Sequence, residues 1–474
     1  MIGGVPKTVY FLLDESRLLQ VIILENLNRF RRSSPMKARL VPIYFDPGKD
    51  DDFDKHLDIL KDQLSEYAEF LKPVPLGGAI PAAEAVIFPQ FLGEAFRKVD
   101  AFKAIDIPIL VITSGFGTVN MWDWEIVSFL RTEGIQIIAP YNLHQTELAC
   151  KSLCVKRELR ETKFVVFQDN PGEGFQSEIF KRFYWWEDSC LNKLHEKFGF
   201  TLEKKSFKKF GSAAQAIPDA EAEAEWKKWD LKTENLTQKP INSAVKVYLA
   251  LKKEMEQDPS IRCMGINCLN ESRFSDTTPC LAWNMLYEKA GLIWGCEADV
   301  MSMITKYILH KSLGAPIMMT NIYPFLMGIA ALHHEKIPNF PEVVDDPDNH
   351  VLLAHCGYLG VVPTSFATDW TMKPGVLAII DKNAHALDAR LPTGDITLAK
   401  LAPTIADMMV VEGDLKGYAQ YPGSDCRNGA VVKVPDGHNL VNKNYSHHHL
   451  LLSGHWKKEI EIVCKVFGLA VDEL

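Results

Sequence analysis

The sequence predicts an α/β protein that ends in a β-rich part. Apolar runs of strand length alternate with charged amphipathic segments in the first third, and a second alternation starts near Lys163. Strands that alternate with helices favour a parallel sheet covered on both faces. From about His333 the chain breaks into short segments separated by Pro, Gly, Asp and Asn. This pattern is typical of an antiparallel barrel or sandwich.

The bulk composition narrows the class of protein. With 474 residues the chain exceeds one ordinary core, so two or three domains are expected. The net charge of -9 argues against nucleic acid as a main partner. We expect no signal peptide and no membrane association, since no apolar run reaches membrane-spanning length. The 10 cysteines are scattered without a Cys-x-x-Cys pair, which favours reduced thiols and a cytoplasmic location.

The first predicted domain covers residues 1–162. Its candidate strands are Thr8–Leu13, Arg39–Phe45, Ala85–Phe88, Ile107–Thr113 and Ile135–Ala139. Its clearest amphipathic helices are Asp54–Leu71 and Trp122–Arg131, whereas Leu18–Leu27 fits a buried helix or a strand equally.

The second predicted domain covers residues 163–332. Its candidate strands are Phe164–Gln168, Leu202–Lys205 and Ile261–Asn267, and its helices are Ser177–Phe198, Ala213–Trp229, Asn242–Gln257 and Leu281–Ala290. The third domain, residues 333–474, holds the strands Val376–Asp381, Gly394–Lys400, Met408–Glu412 and Gly429–Val434 and a final helix, Lys457–Val466.

One stretch near the end of the second domain combines acidic residues with apolar surroundings. Glu297 and Asp299 precede a predicted helix, Val300–Leu313, and a short strand, Ile317–Met319, leads to Asn321. A carboxylate just before a helix and an amide just after the next strand can meet at one end of a sheet. We therefore predict a functional site around this stretch.

Histidines in two later segments are candidates to complete that site. His355 follows an apolar strand, and the triplet His447–His449 precedes another. A carboxylate with imidazoles suits Mn²⁺, Fe²⁺ or Co²⁺ better than Ca²⁺. Taken singly, His355 is better explained as a core or surface residue than as a ligand, and the triplet is equally well explained by a metal or substrate contact and by a structural role. No His-Glu-x-x-His spacing occurs.

The segment TPCLAWNMLYEKAGLIWGCEADV resembles the family of L-fucose isomerase and L-arabinose isomerase. QDNPGEGF, VLLAHCGY and SHHHLLLSGH extend this resemblance over roughly residues 163 to 474. The resemblance implies two Rossmann-like parallel-sheet α/β domains followed by a C-terminal antiparallel β-barrel-like domain. It also implies a homo-oligomer, such as a hexamer, with the active site near a subunit interface and Mn²⁺ or another divalent metal as cofactor.

The resemblance assigns roles to individual residues. Glu297 matches the carboxylate that binds metal and moves a proton, and Asn321 stands where the family has its second acidic residue. His355 matches a histidine ligand. The C-terminal ligand is His448 or His449, and the spacing to the following strand favours His449.

Aldose–ketose exchange through an enediol explains why two carboxylates are expected. A proton moves between C2 and C1 while another moves between the two oxygens, which the metal polarises. Asn321 can bind metal through its carbonyl oxygen but cannot accept a proton. Asp299, a histidine or a metal-bound hydroxide remain alternatives for that task.

The predicted function is therefore a metal-dependent aldose–ketose isomerase of a deoxy-, pentose or modified sugar. An anionic sugar, such as a sulfonated hexose, remains open because Arg273, Arg390 and Arg427 lie in segments that can face a pocket. Taken singly, each arginine is better explained by surface ion pairing. The alternatives are a non-catalytic sugar-binding relative and an enzyme of the same fold with another sugar reaction, such as epimerisation.

Overall fold

The computed structural model describes residues 36–46, 48–91, 93–169, 171, 176–324, 344–375, 381–419 and 429–473. The predicted strand Thr8–Leu13 and the undecided segment Leu18–Leu27 lie outside these ranges, as does Val376–Asp381 except for its last residue. Within the described part, the fold is mixed α/β, with two parallel sheets and a closed antiparallel barrel.

The first sheet is entirely parallel and lies in the first third of the chain. Its strand order is β2-β1-β4-β5-β6, with β3 also paired to β1. The strands are β1 Ala38–Tyr44, β2 Ala68–Phe70, β3 Val74–Pro75, β4 Ala85–Phe88, β5 Ile109–Val111 and β6 Ile137–Ile138. The helices are Asp51–Gln63, Val99–Lys103, Asp123–Thr132 and Leu143–Leu159, with a 3-10 turn at Gly93–Lys98.

The predicted helix Asp54–Leu71 is wrong at its C-terminal end. The helix stops at Gln63, and Ala68–Phe70 forms an edge strand. The backbone of this short segment pairs with Ala38–Leu40, and buried Ala68 joins the core. Pairing across the sheet overrides the helical pattern of the charged residues.

The second sheet is also parallel, with the order β10-β9-β7-β8. Its strands are β7 Lys163–Phe167, β8 Thr201–Lys205, β9 Ile261–Ile266 and β10 Ile293–Cys296. The associated helices are Phe180–Phe183, Asp188–Phe198, Phe207–Gln215, Asp219–Trp226, Gln238–Gln257, Cys268–Glu271, Cys280–Ala290 and Val300–Leu313, with a 3-10 turn at Ser272–Phe274.

Two long helices predicted here are each interrupted. The segment Ser177–Phe198 breaks after Phe183, because Trp185 adopts a positive φ of 59° that ends the helical turn. Ala213–Trp229 breaks at Pro218, which precedes the second of two shorter helices. Proline cannot continue a helix without losing a backbone hydrogen bond.

The C-terminal part contains a closed barrel of six antiparallel strands, in the order β15-β18-β11-β12-β17-β16 and back to β15. The strands are β11 Ile317–Pro324, β12 His350–Ala354, β13 Asp369–Pro374, β14 His385–Arg390, β15 Gly394–Leu401, β16 Asp407–Ala419, β17 Gly429–Lys433, β18 His448–Ser453 and β19 Ala470–Glu473. β13 and β14 form a separate hairpin, and β19 extends the barrel sheet in parallel to β16. A 3-10 turn at Pro347–Asn349 and the helices Gly437–Lys443 and Lys457–Phe467 complete this part.

The helix Val300–Leu313, here called the central helix, connects the second sheet to the barrel. It follows β10 and leads into β11, and it contacts β10, β15 and β18. Nearly all of its side chains are buried, so one continuous apolar core runs from the sheet into the barrel. β11 belongs to the barrel although it precedes residue 333 in the chain. Among the helices of the described ranges, none is long and apolar enough to span a bilayer.

Candidate metal centre

Glu297 lies at the carboxyl end of β10, in a strained turn that leads into the central helix. Glu297 and Ala298 both adopt left-handed backbone, with φ of 52° and 54°. Asp299 then caps the helix by accepting a hydrogen bond from the Ser302 amide at 3.0 Å. Non-glycine residues with positive φ cost free energy and concentrate at functional sites.

The side chains of three residues from different parts of the chain meet at one point: Glu297, His355 and His448. The Glu297 carboxylate is 3.4 Å from His355 Nε2 and 3.8 Å from His448 Nε2. One ligand atom from each of these residues lies within 4.8 Å of the others, which is close enough for one metal ion. A carboxylate and two imidazoles suit a divalent transition metal.

A tight hairpin positions His355. His355 follows β12, and its backbone pairs with that of Tyr358. The two intervening residues, Cys356 and Gly357, both have positive φ, as a two-residue type I′ turn requires. The His355 side chain is only 2% exposed, yet its Nε2 has no hydrogen-bond partner among the described residues. A buried imidazole nitrogen with a free lone pair fits a metal ligand.

His448 is oriented by a buried carboxylate. Its Nδ1 lies 3.0 Å from Asp299 Oδ2, and its ring stacks on Tyr184 with centroids 4.9 Å apart. An imidazole that donates its Nδ1 proton to a carboxylate presents Nε2 to a metal. Asp299 also accepts hydrogen bonds from Lys400 Nζ and Ser302 Oγ. Asp299 is therefore a positioning group, which corrects its prediction as a catalytic candidate.

The prediction that favoured His449 over His448 is wrong. Adjacent residues on a strand point to opposite faces, so only one of the two can reach Glu297. His449 Nε2 instead contacts the Asn444 amide oxygen at 2.7 Å. Burial lowers the pKa of His449 to about 3, which keeps this ring neutral.

Asn321 lies beside His448, as the sequence analysis anticipated. It opposes His448 across the β11–β18 pairing, and directly opposed residues share one face of a sheet. Its Nδ2 donates to the Tyr323 hydroxyl at 3.0 Å. Its Oδ1 is buried without a hydrogen-bond partner in the described part of the chain. This oxygen is free to act as a neutral ligand near the two imidazoles.

The sequence analysis missed two residues that hold the Glu297 carboxylate. Gln176 Nε2 donates to Glu297 Oε2 at 2.9 Å, and the Tyr184 hydroxyl donates to the same oxygen at 3.1 Å. Tyr184 reaches this position because the helix predicted over Ser177–Phe198 is broken. The run of aromatic residues around it looked like ordinary core, and nothing in the spacing marked Tyr184.

The charges of the cluster favour an ionised carboxylate. Burial opposes the charge of Glu297, but His355 and His448 hold its pKa well below the ordinary value. Burial likewise opposes protonation of His448, yet its hydrogen bonds to Asp299 and Glu297 raise its pKa. The pKa of the Tyr184 hydroxyl is raised far above its usual range by burial and by Glu297. Tyr184 is thus a permanent donor.

Two of the three predicted substrate arginines, Arg273 and Arg390, do not join the cluster. Arg273 is exposed and lies 5.0 Å from the centroid of the Phe274 ring, while Arg390 is half-buried and lies 5.2 Å from that of Tyr418. Among the described residues neither guanidinium forms an ion pair with the cluster. Arg427 lies outside the described residues.

Comparison of the chain with models of known protein families gives no match, and comparison with curated protein sequences gives none either. What the site can do therefore rests on its own geometry: an ionised carboxylate, two imidazoles and one amide oxygen at the carboxyl edge of a parallel sheet.

Proposed function

We propose that this chain is a metal-dependent aldose–ketose isomerase that acts on a monosaccharide through an enediol. The observation that carries the proposal is the convergence of Glu297, His355 and His448 on one point. The free His355 Nε2 and Asn321 Oδ1 support it, because both are ligand atoms that nothing else in the described chain satisfies.

The same proposal places the chain with the L-fucose isomerase and L-arabinose isomerase family. Two Rossmann-like domains and a C-terminal barrel-like domain, divided near residues 162 and 332, are the arrangement this implies. Mn²⁺ is the proposed metal, because the donor set mixes nitrogen and oxygen ligands. A cytoplasmic location fits the free thiols of the described cysteines.

The proposed chemistry assigns the carbon proton to Glu297. A divalent metal at this site supplies polarisation of the two substrate oxygens, which acidifies the C2 proton. Glu297, ionised and held by Gln176 and Tyr184, takes this proton from C2 and returns it to C1. Asp299 takes no part in the transfer, since donors already surround it.

The second proton, which moves between O1 and O2, needs a carrier other than Asn321. The Tyr184 hydroxyl lies 3.4 Å from His447 Nε2 as well as contacting Glu297. His447 is the proposed carrier: its ring would take the proton from one substrate oxygen and return it to the other, while Tyr184 keeps its own proton and holds Glu297.

A homo-oligomer is part of the proposal, with the first sheet as the contact region. Loops after β5 and β6 expose large apolar side chains: Phe116 is 84%, Tyr141 77%, Met121 75% and Trp122 73% exposed. The Thr118 hydroxyl donates to the Pro140 carbonyl at 2.6 Å, which joins the two loops. Exposed apolar patches of this kind mark protein–protein contacts.

Glu297→Gln tests the proposed base. With Mn²⁺ and a panel of aldoses and ketoses in D₂O, we expect the wild-type chain to exchange the C2 hydrogen and Glu297→Gln to lose this exchange. NMR of the recovered sugar measures it. Glu133→Gln, a change in an exposed residue at the C-terminal end of the helix Asp123–Thr132, is the control and should retain exchange. Exchange retained by Glu297→Gln would show that another group is the base.

A further inference from the structure

Three residues occupy equivalent positions at the carboxyl edge of the second sheet. Gln168 follows β7, Asn267 follows β9 and Glu297 follows β10, directly after the paired residues Phe167, Ile266 and Cys296. Neighbouring strands are about 4.8 Å apart, so Gln168 lies roughly 10 Å from Glu297 along this edge. The metal centre therefore stands at one end of a row of polar residues.

The two amides of this row are buried and unsatisfied. Gln168 is 7% and Asn267 0% exposed, and neither the oxygen nor the nitrogen of either amide has a hydrogen-bond partner in the described ranges. The Ser272 hydroxyl and Gln176 Oε1 are unpaired in the same way. Each buried polar atom without a partner has lost its hydrogen bonds to water and gained none in return, which destabilises the fold.

This concentration of unpaired atoms is not a general property of buried amides in the chain. Asn242, which is 5% exposed, accepts a hydrogen bond from Gln238 and donates one to Glu223. Native proteins pair most buried polar groups, and unpaired ones require an explanation. In open α/β sheets, ligands bind at the carboxyl ends of the strands, where this row lies.

Gln176 connects the row to the metal centre. Its Nε2 donates to the Glu297 carboxylate while its Oε1 remains unpaired, and its backbone amide donates to the Asn270 side chain at 3.1 Å. One side chain thus contacts the proposed base and offers a free acceptor beside it. A ligand that starts at Glu297 can continue along this edge.

We propose that Gln168, Asn267 and Gln176 form a hydroxyl-binding subsite, which holds the carbon chain of an open-chain sugar beyond the two carbons that react. The assignment rests on the proposed function and narrows its substrate class to neutral polyhydroxylated sugars. A primary amide offers two donors and one acceptor oxygen, which match hydroxyl groups that both donate and accept.

An anionic terminus fits this subsite poorly. A sulfonate or phosphate has only acceptor oxygens, so the amide oxygens of Gln168 and Asn267 would stay unpaired beside a negative charge. Among the described residues, Arg273 and Arg390 contact aromatic rings instead, and the buried Lys400 is paired with Asp299. A neutral polyhydroxylated sugar can pair both the donors and the acceptor oxygens of the amides in this row.

Isosteric substitutions separate a binding role from a structural one. Asn267→Leu and Gln168→Met remove the amides with little change of shape and break no hydrogen bond within the described chain. We expect their melting temperatures to equal or exceed that of the wild type. The KM for the neutral sugar should rise about tenfold for each lost hydroxyl contact, with a smaller change in kcat. Asn242→Leu, the matched control, should melt earlier and leave KM unchanged.

Binding of alditols tests the subsite without any turnover. Calorimetry on the Mn²⁺-loaded chain compares erythritol, galactitol, glucitol and glucitol 6-phosphate. We expect the hexitols to bind more tightly than erythritol, and we expect this preference to vanish in Asn267→Leu. Glucitol 6-phosphate should bind no more tightly than glucitol. If these binding results are obtained but no isomerisation is detected, the proposed reaction is wrong and the proposed subsite is still supported. Earlier melting of Asn267→Leu with an unchanged hexitol preference, or tighter binding of the phosphate, would overturn the subsite.

Discussion

Asp299→Asn is the sharpest test of how the metal centre is built. In the wild type, Asp299 compensates the buried ammonium of Lys400 and accepts the Nδ1 proton of His448. The side chains of Asp299 and Lys400 are 0% and 2% exposed, so water cannot replace either partner. Asparagine still caps the central helix, because its side-chain oxygen is an equally good N-cap acceptor. The substitution therefore removes the charge and keeps the cap.

Two effects of different size follow from this geometry. Removing one partner of a buried ion pair leaves an uncompensated charge, which should lower the free energy of unfolding by about 3 to 5 kcal/mol. Losing the carboxylate that orients a metal-binding imidazole should weaken Mn²⁺ affinity about 10- to 100-fold. The first effect acts through Lys400 and the second through His448, so the two can be separated.

The double variant Asp299→Asn/Lys400→Met makes this separation. Urea unfolding should show most of the lost stability restored, because no buried charge remains unpaired. Calorimetric titration with Mn²⁺ should show that the affinity stays weak, because His448 still lacks its carboxylate. Recovery of both quantities together would refute the claim that Asp299 orients His448, and an unchanged stability of Asp299→Asn would refute the buried ion pair.

Three further predictions follow from the same site. Asn321→Asp should tighten Mn²⁺ binding about tenfold, since a charged oxygen replaces the unpaired amide oxygen. Calorimetric titration measures the affinity, and an unchanged value would mean that Asn321 points elsewhere. Mn²⁺ affinity should rise as the pH increases through the pKa of His448, because the proton on this ring must leave before Nε2 can bind. Burial opposes that proton, but Asp299 and Glu297 raise the pKa. Because its pKa is raised in the folded state, protonated His448 stabilises the metal-free fold at low pH, and this contribution is lost as the pH rises through the folded-state pKa. Over this pH range the melting temperature should therefore fall without Mn²⁺ and rise with Mn²⁺ present. Ala298→Gly should raise the free energy of unfolding, measured in urea, by about 0.5 to 1 kcal/mol, because glycine adopts the positive φ of this position without strain. The substitution keeps the backbone carbonyl to which Trp186 Nε1 donates at 2.8 Å. A loss of stability would argue against strain at this turn.

The sequence alone was sufficient for much of the fold, because periodicity reports burial. Alternating strands and helices predicted parallel sheets, and the short segments after residue 333 predicted an antiparallel part. Whether that part was a barrel or a sandwich stayed open, since closure depends on the pairing of β15 with β18, two strands that are far apart along the chain. The helix break at Trp185 was missed because it depends on a positive φ that the residue type does not indicate, whereas the break at Pro218 could have been predicted from the proline itself.

The candidate site divides in the same way. Glu297 and His355 could be placed because each directly follows an apolar strand, whereas Asn321 lies within β11, which continues to Pro324 beyond the predicted strand. The choice between His448 and His449 depends on the face to which each residue of β18 points, and a register of one residue reverses it.

The sequence by itself therefore determined which segments form helices and strands, and which residues near the strand ends are candidate metal ligands. What only the tertiary structure decided is which partners surround those ligands. Lys400 lies 101 residues from Asp299 along the chain, and Tyr184 and Gln176 lie 113 and 121 residues from Glu297. No local pattern records such distances, because the contacts form only when the second sheet and the barrel pack around the central helix.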